Sequence, residues 1–246
     1  MNLEVFTYVL VVAVNLTVGI RLLSKGVALG ARPEQLLGAT LTLDGIEWLF
    51  WVMAFYTPAA DTPLAELFGA LCRVFILAHN LCLLAFTRLV FRPESRGARG
   101  VVWVTASLIF VGLIGGFAAG DWMGNRSDHV WLWVEMFALM VAYAWTLIES
   151  SLYYSRMRRR VGHGLADPVL ANRFLLWASY GAASVATTLV WMFGALVVAQ
   201  GGRYPFALDA IMVGFTLVSA LSLWLAFFPP LVYRTWVRVG RASTGA

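Results

Sequence analysis

The chain has 246 residues, of which 61% are hydrophobic and only 13% are charged. Soluble domains carry about 25% charged residues, so this composition excludes a water-soluble domain and predicts an integral membrane protein, with membrane lipids as its surroundings. The net charge of +5 could suggest nucleic-acid binding, but the basic residues follow membrane topology, which counts against nucleic acid as a partner.

Seven apolar stretches follow one another along the chain, each of about the 20 residues that a membrane-spanning helix needs. The predicted helices cover residues 3–23, 37–56, 66–90, 101–120, 129–153, 174–199 and 205–228. No segment shows the alternation of a membrane β-strand. The sequence therefore predicts an all-α, polytopic seven-transmembrane-helix bundle, formed as a single domain by residues 1–246.

The basic residues lie almost entirely on one side of the predicted bundle. Of the 18 lysines and arginines, 15 fall in the first, third and fifth loops and in the C-terminal tail. Because cytoplasmic loops are enriched in basic residues, the N-terminus is predicted outside and the C-terminus in the cytoplasm. The fifth loop, residues 155–173, is the longest predicted inner loop, and Asp167-Pro168 within it is typical of a helix start. These basic inner loops could dock a cytoplasmic signalling partner.

The second predicted helix contains two carboxylates, Asp44 and Glu47, in the run LTLDGIEWLFWVMAFY. A carboxylate at the centre of a membrane helix costs about 2.5–3.5 kcal/mol on insertion scales, and such residues usually have a partner or a function. If helices 2 and 3 form an antiparallel hairpin, Asp44 lies level with His79 and Asn80. Arg73 is one turn further out, where its long side chain could reach Glu47.

These residues predict a buried polar cluster of Asp44, Glu47, Arg73, His79 and Asn80 between helices 2 and 3. We expect Glu47 and Arg73 to form a switchable pair, tuned by Asp44 and His79. Two further carboxylates, Glu135 on helix 5 and Asp209 on helix 7, would form the outer mouth of the site.

The spans hold more carboxylates than basic groups. Four carboxylates cannot all stay charged in a low dielectric beside one arginine, so some must be protonated, or a cation or cationic ligand must be bound. In a purely structural interpretation, Arg73 pairs with Glu47 and the other carboxylates are neutral or reach water. In a functional interpretation, the cluster is a ligand pocket or a proton pathway. One histidine with two carboxylates can bind Zn²⁺, but no spacing motif such as HExxH is present, so no metal site is predicted.

Aromatic and glycine residues add two further expectations. Trp48, Tyr143 and Trp191 lie deep in their helices and could line the pocket, although most aromatic residues in a bundle serve packing. Helix 4 carries glycines in a GxxxGxxxG spacing, which lets another backbone approach closely, either in a dimer or from a neighbouring helix. These glycines are Gly112, Gly116 and Gly120.

Seven helices with an external N-terminus resemble the layout of microbial rhodopsins and G-protein-coupled receptors. The resemblance to rhodopsins would imply a retinal bound to a lysine of the last helix. The only lysine of this chain is Lys25, which is predicted in the first cytoplasmic loop. Covalent retinal is therefore excluded, and no cofactor is predicted.

The exit of helix 7, FFPPLVYRTW, contains Pro229, Pro230, Arg234 and Trp236. It resembles the juxtamembrane end of seven-helix sensor modules in bacterial histidine kinases and related signalling proteins. The resemblance implies a bacterial cytoplasmic (inner) membrane and a cytoplasmic output. Because the chain stops at Ala246, we expect a separate partner to supply that output.

The sequence thus predicts a receptor-like membrane sensor that binds a small ligand or protons at the buried cluster. The alternatives are a proton-coupled transporter or channel that uses the same carboxylates, and a non-catalytic accessory subunit, or a homo-oligomer, that associates through helix 4. An enzyme is not predicted, because no nucleophile–base or metal-ligand motif is present.

Overall fold

The computed structural model describes residues 3–57, 62–123, 128–197 and 206–239, and this part of the chain is helical, without strands. Seven helices are long and apolar enough to cross a membrane. This confirms the predicted all-α bundle of seven spans. The helices are α1 (Leu3–Leu29), α2 (Arg32–Tyr56), α3 (Leu64–Phe91), α4 (Arg96–Ala118), α5 (Val130–Gly162), α6 (Pro168–Val197), α7 (Phe206–Phe227) and α8 (Leu231–Val239).

All the membrane-spanning helices except α7 are longer than the apolar stretches that predicted them. α5 continues to Gly162 through the basic run, so the predicted inner loop 155–173 shrinks to residues 163–167. Helical hydrogen bonds are local, so a helix that is held in the membrane can extend into water with a polar sequence. α6 begins at Pro168, and the Asp167 side chain accepts a hydrogen bond from the Val169 amide at 2.9 Å, as the Asp-Pro pattern predicts. Lys25 lies in the last turns of α1 and not in a loop.

The spans form a ring in the order α1, α2, α3, α5, α6, α7, which closes where α7 packs on α1. α4 packs outside this ring, against α3 and α5, which also contact each other. We call the face where α1, α3, α5 and α7 begin the N-terminal face, and the opposite, basic face the C-terminal face. α3 and α5 therefore run parallel, and their side chains meet inside the ring.

α1 and α2 form the closest helix pair around a seam of four glycines. A Cβ on Gly38 would lie 2.3 Å from the Leu23 amide nitrogen, and one on Gly19 would lie 2.5 Å from that of Thr42. Gly26 and Gly45 face the other helix in the same antiparallel register. Small residues at a helix interface allow the backbones to approach to this distance, which gains dispersion energy where lipid offers no hydrophobic driving force.

The predicted glycine face of α4 is divided between two roles. A Cβ on Gly112 would lie 3.0 Å from the Glu135 Cβ, and one on Gly116 would lie 2.6 Å from an Arg73 guanidinium nitrogen, so both face neighbouring helices. Gly120 does not belong to this face. It follows the end of α4 with a φ of +77° and has no atom near its missing Cβ, because a left-handed residue that ends a helix is usually glycine.

Candidate functional site

The ring of helices encloses a cavity of about 90 Å³ toward the N-terminal half of the bundle. A buried water needs about 10–15 Å³ of such space, so roughly six waters or one small ligand would fit. Five helices, α1, α2, α5, α6 and α7, supply most of its wall, and α3 contributes Ile76. The polar lining residues are Asn15, Asp44, Glu47, Tyr143, Tyr180, Ser184, Thr187, Thr188, Thr216 and Ser219.

Asp44 and Glu47 on the wall of this cavity form a compact group with His79, which we call the cavity cluster. One ligand atom from each residue lies within 4.8 Å of the other two. The shortest contact joins Glu47 Oε2 to His79 Nδ1 at 2.6 Å, although neither atom makes an aligned hydrogen bond. The α2–α3 hairpin therefore brings Asp44 level with His79, as the antiparallel register predicts.

Asn15 of α1 extends the cavity cluster, and the sequence analysis missed it. Its Nδ2 donates to Asp44 Oδ2 at 2.6 Å, whereas its Oδ1 is buried without a hydrogen-bond partner. The signal was present in the sequence, because an amide in the middle of span 1 faces the middle of span 2 once the two helices pack antiparallel.

His79 and Asn80 are held by α3 itself and by α5. Asn80 Nδ2 donates to the Ile76 carbonyl at 3.0 Å and lies 2.7 Å from His79 Nε2. The Tyr143 hydroxyl lies 2.9 Å from the same Nε2. An amide nitrogen can only donate, so Nε2 accepts and the neutral ring carries its proton on Nδ1, facing Glu47.

Arg73 does not pair with Glu47, so the predicted switchable pair is wrong. Its guanidinium binds Glu135 Oε2 at 2.5 Å and donates to the Asp121 carbonyl, which closes the space between α3, α4 and α5. Arg73 and Glu135 are each 3% exposed. The physical reason is packing, since α5 lies parallel to α3 and offers a carboxylate at the depth where the arginine ends. Glu135 therefore belongs to a closed ion pair and not to a mouth.

The other predicted site residues have varied positions. The aromatic residues Trp48, Tyr143 and Trp191 all lie on the cavity wall, joined by Trp51, whose ring meets that of Trp191 edge-on at 5.7 Å. Asp209 lies in the first turn of α7, but its side chain lies outside the described residues. Apart from Trp191, the α6 part of the wall was missing from the predicted site, because the small polar residues of α6 carry no signal of their own in the sequence.

Polar contacts between α3 and α5 continue toward the C-terminal face. Thr87 and Thr146 are linked by their hydroxyls at 3.0 Å, and Arg92 Nε donates to Glu149 Oε1 at 2.8 Å. The hydrogen bond and the charge of Glu149 raise the pKa of Arg92. Between Asn80 and Thr87 the contacts are apolar, and Leu83 and Leu84 are fully buried. This apolar layer spans about 10 Å at 1.5 Å per residue.

Comparison with known proteins does not assign this site. No family model matches the chain, and neither the search of curated proteins nor that of solved structures found a match. The site must therefore be interpreted from its own chemistry. Two carboxylates and several aromatic side chains line the cavity, and the neutral imidazole of His79 contacts Glu47. The described lining residues include no lysine or arginine.

Proposed function

We propose that this protein is a receptor-like membrane sensor that binds a small cationic ligand, or protons, in the central cavity. One observation carries the proposal: Asp44 and Glu47 both line a cavity whose other lining side chains, among the described residues, are aromatic, hydroxyl-bearing, aliphatic or the amide of Asn15, with no lysine or arginine. Intramembrane carboxylates without a matching charge are expensive and usually mark a functional site.

The wall chemistry favours a cation over an anion or a purely apolar ligand. Aromatic faces attract cations within about 6 Å, most strongly when the site excludes water. Trp51, Tyr143 and Trp191 supply such faces around the carboxylates. The one arginine at similar depth, Arg73, is neutralised by Glu135 and leaves the negative charge of the cavity cluster uncompensated.

A sensor fits this geometry better than an open channel does. The apolar layer at Leu83 and Leu84 closes the cavity toward the C-terminal face, so the described residues form no continuous polar path across the bundle. α6 offers a route for the signal, because it lines the cavity with Tyr180 and holds α8 at its other end through the hydrogen bond from Asn172 to the Tyr233 hydroxyl. Ligand-dependent tilting of α6 would move α8.

We further propose the orientation and the output side that this function requires. The exposed arginines on the extension of α5 and the basic loops favour a cytoplasmic C-terminal face in a bacterial inner membrane. A cytoplasmic signalling protein would then dock on α8 and on the exposed end of α5. The glycine face of α4 is filled by α5 and Arg73. Homo-oligomerisation through α4 stays a prediction, and it would use the lipid-facing side of this helix.

The binding proposal is tested by thermal unfolding of the protein in lipid nanodiscs, with quaternary ammonium ions, polyamines and divalent metal ions as probes. A cation that binds only the folded state stabilises it by about 2.7 kcal/mol at 100 times its Kd. We expect at least one class of cation to raise the unfolding temperature in a saturable manner. The double variant Asp44→Asn/Glu47→Gln should abolish this shift.

Glu149→Gln is the matched control, because it removes a buried carboxylate from the same bundle near the opposite face. The control should leave the cation-dependent shift unchanged. A shift that survives the double variant, or the absence of any saturable shift with all three probe classes, would contradict the proposed binding site.

A proton-coupled transporter is the second candidate, and the α3–α5 contacts favour it. Polar pairs occur at four depths between these helices, from Arg73–Glu135 to Arg92–Glu149. Apolar contacts separate them at Ile76 and Leu139 and again at the apolar layer. Solute or proton flux into liposomes under a pH gradient separates the two functions. Flux that Glu47→Gln abolishes would replace the sensor with the transporter, whereas no flux above that of empty liposomes supports the sensor.

A further inference from the structure

We propose that the cavity cluster binds one divalent transition-metal ion through Asp44, Glu47 and His79. The inference rests on the proposed function, because it names the class of cation that would occupy the same cavity. The sequence predicted no metal site, since the ligands come from two helices and form no local motif.

The donor set determines the class of metal. A carboxylate oxygen from Asp44, another from Glu47 and an imidazole nitrogen from His79 lie within 4.8 Å of one another. Three protein ligands with one open position are typical of zinc sites that retain an exchangeable ligand. Imidazole suits zinc, iron, copper and nickel, whereas calcium and magnesium prefer all-oxygen sites.

The site has the room that an ion needs. Ligand atoms at about 2.0–2.2 Å from a tetrahedral ion stand roughly 3.4 Å apart, whereas Glu47 Oε2 and His79 Nδ1 are 2.6 Å apart. An ion would therefore replace this direct contact and increase the distance between the two atoms by less than about 1 Å. The neighbouring cavity of about 90 Å³ gives Glu47 space to move and leaves one face of the ion open.

An independent observation on a third helix also indicates a ligand. Asn15 is 2% exposed and lines the same cavity, and its Oδ1 has no hydrogen-bond partner. A buried amide oxygen without a donor costs about 1–3 kcal/mol of desolvation. A metal-bound water, or the ion itself, would satisfy this oxygen beside Asp44.

The charges balance when an ion is bound. Two carboxylates and a neutral imidazole carry a charge of −2, which one divalent cation neutralises within the low dielectric of the bundle. Metal binding at Nδ1 moves the ring proton to Nε2, and the Tyr143 hydroxyl can accept a hydrogen bond from this Nε2–H group. The carboxamide of Asn80, whose Oδ1 also has no hydrogen-bond partner, can turn so that Oδ1 accepts a hydrogen bond from the same Nε2–H group. Such partners behind a ligating histidine fix its tautomer and its orientation.

The experiment titrates Co²⁺ and then Zn²⁺ into the full chain in nanodiscs after chelator treatment. We expect about one Co²⁺ per chain, with the visible absorption of four-coordinate Co²⁺, displaced by Zn²⁺. His79→Gln and Glu47→Gln should each weaken the affinity at least 100-fold. Using two separate variants keeps the test decisive if one of them fails to fold.

The matched control replaces the other two histidines, His129 and His163, with glutamine, and it should retain full affinity. Co²⁺ binding that His79→Gln does not change would overturn the inference, as would the absence of stoichiometric binding. If ammonium ions bind and metals do not, the metal inference fails while the proposed function stands. If neither metal ions nor ammonium ions bind, the metal inference and the proposed binding of a cationic ligand both fail.

Discussion

Two buried clusters of ionisable residues each include one residue of α3, Arg73 or His79, and they are built in opposite ways. Around Arg73, a carboxylate and a backbone carbonyl meet one guanidinium, and Gly116 packs against its other face. In the cavity cluster, two carboxylates share one histidine, and buried polar atoms remain without partners beside an open space. The first arrangement is complete in itself. The second requires a proton, a cation or water.

The difference separates structural from functional uses of the same residue types. A buried ion pair with matched charges and good geometry fixes the positions of its helices, although its net contribution to stability is modest. A cluster with excess negative charge gains energy from an added cation, so selection for stability alone would remove it. The comparison therefore predicts unequal losses of stability when one member of each cluster is neutralised.

The largest effect is expected at the closed pair. Arg73→Met leaves Glu135 buried without its counter-charge, and breaking such a pair costs about 3–5 kcal/mol. We expect a corresponding loss in the free energy of unfolding, measured by denaturant titration in mixed micelles. The double variant Arg73→Met/Glu135→Met should recover most of the loss, because it leaves no unpaired charge.

Glu47→Gln is the matched change in the cavity cluster, and it should cost less than about 1 kcal/mol, because no fixed positive charge loses its partner. Equal losses for Arg73→Met and Glu47→Gln would remove the distinction between the two clusters.

An intermediate effect is expected where α4 supports the closed pair. Gly116→Leu would place a side chain where the Arg73 guanidinium lies, and overpacking of this kind costs about 1–3 kcal/mol. Gly120→Ala provides the contrast, since its cost comes from the left-handed backbone and not from packing. Thermal unfolding should rank Gly116→Leu as the more destabilising variant, and the loss should shrink when Arg73 is also replaced by methionine. Additive effects of the two changes would contradict the contact.

A small effect, similar to that of Glu47→Gln, is expected at the polar pair below the apolar layer. Thr87→Val leaves the Thr146 hydroxyl without its cross-helix partner, which costs about 1 kcal/mol. Thr146 still donates to the Ala142 carbonyl at 3.0 Å, which limits the loss. The double variant Thr87→Val/Thr146→Val should unfold close to the wild type, and neither change should alter cation binding. Altered binding would show that the pair is coupled to the cavity.

The sequence predicted those parts of the site that depend on adjacent helices. Apolar length located all seven spans, and the α2–α3 register placed Asp44 level with His79. It failed at Arg73, because the partner of this residue depends on how α5 lies against α3, which no periodicity within one helix encodes. It also missed α8, whose nine residues are too few for a span. On α6 it missed the serine and threonine residues of the cavity wall, such as Ser184 and Thr188, whose hydroxyls donate hydrogen bonds to carbonyls of their own helix.

The glycine seam between α1 and α2 has a consequence for how the chain enters the membrane. These helices are made before α3 and are joined by only two residues, Gly30 and Ala31. Because Asn15 donates a hydrogen bond to Asp44 within this pair, the hairpin supplies a partner for the Asp44 carboxylate before His79 has been synthesised. The two helices can thus enter the bilayer together, and the cavity is assembled later around a carboxylate that is already in place.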